Sequence, residues 1–178
     1  MKWLLIAAIA VAVMFLAVLI FGWLQPVHHS VTRKMYLHQT PEAVFAVLEN
    51  SADLPTWSSA VLKVEPLPER DHKPAARITL RWGSMVMIMT QLERIPPNRL
   101  VTRMAKDNGP VLGTWTYEIA PETGGCRVSV TEEGELKNPL FRAIARLRGL
   151  DSNINQTLRD LAKKFGESAD ANSNEPGE

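Results

Sequence analysis

Hydrophobic and polar residues along this chain follow three patterns. Trp3 to Leu24 is apolar without interruption by charge. Most of the middle alternates with a period of two. Leu140 to Phe165 carries apolar residues at steps of three and four: Leu140, Ile144, Leu147, Ile154, Leu158, Leu161 and Phe165. The last spacing predicts a helix lying on an apolar surface. Its one gap falls at Asp151. Gly149 sits just before it, so a break or kink is expected at 149–151, with Asp151 capping the second half.

The alternating middle predicts strands. Val31 to Gln39 places Val31, Met35 and Leu37 against Thr32, Lys34, Tyr36 and His38. Thr40-Pro41-Glu42 then reads as a helix start, with Thr as N-cap, Pro at the first position and Glu near the positive end. Val44, Phe45, Val47 and Leu48 give that helix its apolar face. Asn50-Ser51 ends it, and a second short turn is expected over 53–57. Strands follow over 60–64, 75–82, 85–95, 99–105, 111–120 and 126–136. They are separated by a Pro- and charge-rich turn at 66–74, Gly83-Ser84, Pro96-Pro97-Asn98, 106–110 and Thr123-Gly124-Gly125. Asn138-Pro139 introduces the final helix. A contiguous antiparallel run with segregated helices is an α+β pattern.

The N-terminal stretch changes the picture of location. Its 22 uncharged residues span roughly 33 Å as a helix, enough for a bilayer's hydrocarbon core. Trp3 and Trp23 mark its ends, and Gln25-Pro26 stops it. A signal peptide's apolar region would be shorter, and no convincing small-x-small cleavage site precedes Gln25, so an uncleaved single-pass anchor is preferred to a signal peptide. Residues 1–25 are therefore read as anchor, 26–30 as linker, 31–166 as the folded domain and 167–178 as a disordered tail. Lys2 and the amino terminus balance Arg33 and Lys34 across the span. An uncut apolar N-terminus tips the expectation toward an extracytoplasmic domain.

Charge excludes more than it suggests. Twenty Lys and Arg stand against nineteen Asp and Glu, for a formal charge of +1. Bases and acids are interspersed, so no nucleic-acid footprint stands out. The single cysteine, Cys126, excludes an internal disulfide and a multi-cysteine zinc site. His28 and His29 are adjacent, point apart in extended chain and make a poor chelate, so no metal is expected. No phosphate loop, dinucleotide fingerprint, His-Glu-x-x-His or G-x-S-x-G is present, and no cofactor is expected.

The order of elements, with Thr40-Pro41-Glu42-Ala43-Val44-Phe45-Ala46-Val47-Leu48, Trp57-Ser58, Thr131-Glu132-Glu133-Gly134-Glu135-Leu136 and Asn138-Pro139-Leu140, resembles the START/Bet v 1-like helix-grip superfamily. The match is to its bacterial polyketide cyclase/dehydrase-like branch, over roughly Ser30 to Phe165. The resemblance implies a seven-stranded antiparallel sheet curled around the long C-terminal helix, with an apolar cavity between them for lipids, sterols or polyketide-like molecules. The anchor departs from soluble members, so their substrates do not carry over.

Met85, Met87 and Met89 are either core filler or an adaptable ligand surface. Trp82, Trp115 and Tyr117 either pack the core or line a ligand mouth, and Leu147 would face the pocket from the helix. Glu118 and Glu132 are candidate cavity acids if their faces are internal, since desolvation raises a carboxyl pKa as acid–base work requires. The plainer reading puts both on solvated surface. Arg77 and Arg81 are expected in solvent. The first functional expectation is membrane-anchored binding of a hydrophobic small molecule or lipid without catalysis. A cyclase or dehydratase using the cavity acids and a protein-interaction module are the alternatives.

Overall fold

In a computed structural model of the chain, the described residues are 2–70, 72–81, 83, 85–107, 109, 111–168 and the backbone of 175–176. Two compact units are present. One holds 1–29 with 135–150, and the other holds 30–134 with 151–178.

The larger unit is built on the antiparallel meander. Its strands are β1 (His28–Leu37), β2 (Val61–Arg70), β3 (Lys73–Leu80), β4 (Val86–Ile95), β5 (Arg99–Lys106), β6 (Val111–Glu122) and β7 (Gly125–Glu135). They form one curled sheet in the order β2-β3-β4-β5-β6-β7-β1. A two-residue β8 (Glu175–Pro176) pairs beyond β1. Of the tail expected to be disordered, 169–174 and 177–178 lie outside the described residues. Glu167 is tied down, because its carboxylate accepts the His38 backbone N–H at 3.1 Å.

The turn expected over 66–74 is a correction. The chain there is strand up to Arg70 and again from Lys73, and His72, at φ 59°, is in the left-handed region. Pro66 and Pro68 are exposed and sit on β2, which is the sheet's edge. A proline on an edge removes a donor that need not pair, so the pattern that reads as a loop is compatible with strand.

Between β1 and β2 run α2 (Pro41–Glu49) and α3 (Leu54–Trp57). Thr40 caps α2 as its residue type requires: its Oγ1 accepts the Ala43 N–H at 3.3 Å. Val44, Phe45 and Leu48 turn inward.

The C-terminal stripe is two helices rather than one. α4 (Pro139–Arg148) ends at Gly149, whose φ of 87° disfavours any side chain, and α5 (Ser152–Lys164) begins three residues on. Ile154, Leu158, Leu161 and Ala162 of α5 close the core against Met35, Leu37, Leu100, Ile119, Val128 and Val130. Asp151 occupies the N-cap position of α5, but its side chain makes no cap bond. It takes Arg33 instead, through Nε at 3.0 Å and Nη2 at 2.7 Å, and Asn155 Nδ2 at 2.8 Å. At the other end of the helix, buried Asp160 accepts the Ser59 N–H and Oγ–H at 2.7 Å each and Gln156 Nε2 at 2.9 Å. These two carboxylates tie the start of α5 to β1 and its later turns to the segment between α3 and β2.

The smaller unit joins α1 (Lys2–Leu24) to α4. Helix α1 has a mean hydropathy of 3.2 over its most apolar window, and its length and composition suit a membrane span; a signal sequence meets the same criteria. Gly22 is buried where α4 crosses, and a Cβ there would overlap the Pro139 carbonyl oxygen.

Candidate functional site

Strand register decides which side chains share a face. β6 and β7 pair Ile119 with Val128, Tyr117 with Val130 and Trp115 with Glu132. β5 and β6 pair Leu100 with Tyr117 and Thr102 with Trp115. β4 and β5 pair Met89 with Met104 and Gln91 with Thr102. Directly paired residues of antiparallel strands project to one side. Met87, Met89, Met104, Trp115, Tyr117 and Glu132 therefore lie on the same concave face as the core residues Leu100, Ile119, Val128 and Val130.

Coverage of that face is uneven. Leu100, Ile119, Val128 and Val130 are at most 4% exposed. Met87, Met89, Met104, Trp115 and Tyr117 are only half-buried. The rings of Trp115 and Tyr117 lie 6.3 Å apart and tilted by 37°. The face thus passes from a sealed core into a strip of large, adaptable apolar side chains.

Glu132 ends that strip. Its Oε2 is enclosed, and burial pushes the carboxyl from an ordinary 4.5 up to about 7. Burial also holds the proton on the Tyr117 phenol, and the Glu132 charge adds to the effect. A carboxyl with this pKa exists in both forms at neutral pH. Neutral, it donates a hydrogen bond; ionised, it accepts a proton. Elsewhere, Trp57 Nε1 and Asn155 Oδ1 are buried without a protein hydrogen-bond partner among the described residues. Both residues belong to the larger unit.

The remaining candidates are dispersed. Glu118 points to the other face and pairs with Arg99 at 2.5 Å, its side chain 55% exposed. Met85 precedes β4 and is exposed, Leu147 is exposed on α4, and Trp82 lies outside the described residues. Arg77 pairs with Asp107 at 3.1 Å, and Arg81 is exposed. Cys126 is fully buried, and burial pushes its thiol up to about 11, with the Glu167, Glu122 and Glu42 charges adding to this, so its nucleophilic form is scarce. Among the described residues no three His, Cys, Asp or Glu side chains gather as a metal site. Sequence reasoning missed Met104, although the alternation Leu100-Thr102-Met104 already places it with Leu100. It also missed Asp160, for which no local signal exists.

Solved structures share this fold. The chain aligns with the aromatase/cyclase Zhui from Streptomyces sp. R1128 at a TM-score of 0.62 and 12% identity, covering 78% of this chain and 94% of that one. A START superfamily protein from Mycobacterium smegmatis aligns at 0.60 and 12% identity, over 78% and 97% of the two chains. The di-domain aromatase/cyclase StfQ of the steffimycin biosynthetic pathway aligns at 0.63 and 13% identity, over 82% of this chain; the chain spans about half of StfQ, 51%. No curated protein matches in sequence. Residues 28–166 match the model of one family, which takes in both strands that frame the concave strip and both C-terminal helices. The chain belongs to the family described as polyketide cyclase / dehydrase and lipid transport.

Proposed function

We propose that the concave strip binds a hydrophobic small molecule or lipid and that α1 tethers the domain to a bilayer as a single-pass anchor. The observation that carries this reading is the change in coverage along one face. A sheet that seals Leu100 and Val130 completely leaves Met87, Met89, Met104, Trp115 and Tyr117 half-covered on the same side. Methionine and aromatic side chains adapt to irregular apolar shapes. A few placed polar groups orient a ligand in such a site, and neutral Glu132 at the strip's end supplies a donor for a ligand oxygen. The full-length protein, purified in a detergent foreign to cells and extracted with organic solvent, should release a specific lipid or polyketide-like compound by mass spectrometry. The variant Met89→Asp should release far less. Recovery of detergent alone from both proteins would sink the reading.

A second reading, catalysis of cyclisation or dehydration, has one observation in its favour. The Glu132 carboxyl lies near 7, where a general acid or base works best at neutral pH. The aromatase/cyclases named above share the fold, though not enough sequence to transfer an activity. Glu132→Gln separates the two readings. It should bind ligand with little change if the site only holds it, and should bind but not convert if the site is catalytic.

A further inference from the structure

Helix α4 carries three arginines and no acid in ten residues, PLFRAIARLR. Arg142 is spent internally. Buried, it donates from Nε to the Gly22 carbonyl at 2.7 Å and from Nη1 to the Leu136 and Lys137 carbonyls at 3.0 and 3.1 Å. The Gly22 carbonyl is in the last turn of α1, where it also accepts the Gln25 N–H at 3.3 Å and the helix dipole is negative. Together with buried Gly22, this pins α4 to the exit end of α1, beside Trp23. Phe141, Ile144 and Leu147, at steps of three, are 61%, 39% and 73% exposed. Arg146 and Arg148 are exposed as well. An apolar row with exposed cations, held at the level where a span leaves the bilayer, has the composition of an interfacial helix.

We propose that α4 is seated in the surface of an anionic phospholipid bilayer, with Phe141, Ile144 and Leu147 among the acyl–headgroup boundary and Arg146 and Arg148 on lipid phosphates. Arginine's planar fork suits phosphate oxygens. The proposal rests on α1 spanning the membrane, so the test reports on both. Single cysteines at Leu147→Cys, Phe15→Cys and Ala46→Cys, in a chain whose own Cys126 is buried, carry an environment-sensitive fluorophore on the full-length protein in phosphatidylcholine vesicles with or without phosphatidylglycerol. The label at 147 should lose most of its emission to lipids bearing a shallow nitroxide. The label at 15 should lose it to a deep nitroxide, and the label at 46, on exposed α2 surface, should lose it to neither. Phosphatidylglycerol should increase shallow quenching at 147, and Arg146→Gln with Arg148→Gln should abolish that increase. If the 147 label is quenched by aqueous iodide as strongly as the 46 label while the 15 label stays deep, the seat of α4 is refuted and the anchor stands. If the 15 label is also open to iodide, anchor and seat fall together. Lipid-charge dependence that survives both arginine changes would refute the phosphate contacts.

Discussion

Replacing Glu132 by Gln keeps the shape of the side chain and removes its titration. The carboxyl lies at an ordinary 4.5 when unfolded and at about 7 when folded. Its folded value is raised, so the native state binds the proton more tightly than the unfolded chain. Between those two values, stability falls as pH rises, and above 7 the full cost of an ionised, enclosed carboxylate is present. A gap of this size corresponds to about 3 kcal/mol at 1.36 kcal/mol per pKa unit. The wild-type protein should therefore lose about that much relative to Glu132→Gln between pH 5 and pH 8. Below pH 4.5 the two proteins should respond to pH in parallel. Urea titrations of the full-length proteins in one detergent at pH 5, 6, 7 and 8, compared through their midpoints at constant slope, measure the difference directly. A difference between the two proteins that is the same at pH 5 and pH 8 would show that the carboxyl is not raised. The site would then have lost its one group suited to acid–base work.

Arg33→Ala should cost about 1–2 kcal/mol at neutral pH, by removing two charge-assisted bonds to Asp151. Burial raises the Asp151 carboxyl, but bonds from Asn155 and Arg33 outweigh it and hold it below its ordinary value. The stabilisation is therefore present above the unfolded pKa and lost as pH falls through the folded one, so the cost of Arg33→Ala should shrink in acid denaturation curves. Leu158→Ala, at a site with no exposure in the α5 core, should destabilise by about 2–5 kcal/mol in the same assay; a smaller loss would mean that α5 does not seal the sheet. Gly22→Val should separate α4 from α1, since the new side chain meets the Pro139 carbonyl. A cysteine placed at Ala143, which has no exposure in the parent chain, should resist a thiol reagent there and react with it in that variant.

Periodicity makes the sheet legible because a strand's faces repeat every two residues, and the Trp115-Tyr117-Ile119 row falls together both by parity and by register. The same arithmetic is blind to edges. Pro66 and Pro68 look like loop residues until the strand order shows β2 without an outer neighbour. Parity also cannot say which face is inside. Glu118 and Glu132 are equivalent in sequence, each beside alternating apolar residues. One ends as an ion pair with Arg99, the other enclosed opposite Trp115. The difference arises only where β6 lies between β5 and β7, because that arrangement fixes both the partner and the burial of each acid. The C-terminal stripe is the reverse case. Its spacing continues in register from Leu147 to Ile154 as one helix would, and Gly149 and Asp151 are the local signs of the break between them. A positive φ at that glycine and a salt bridge across 118 residues, Arg33 to Asp151, end one helix and start another. Local spacing therefore reports the face a residue shares with its neighbours, and only long-range pairing turns that face into a core, a half-covered strip or a surface.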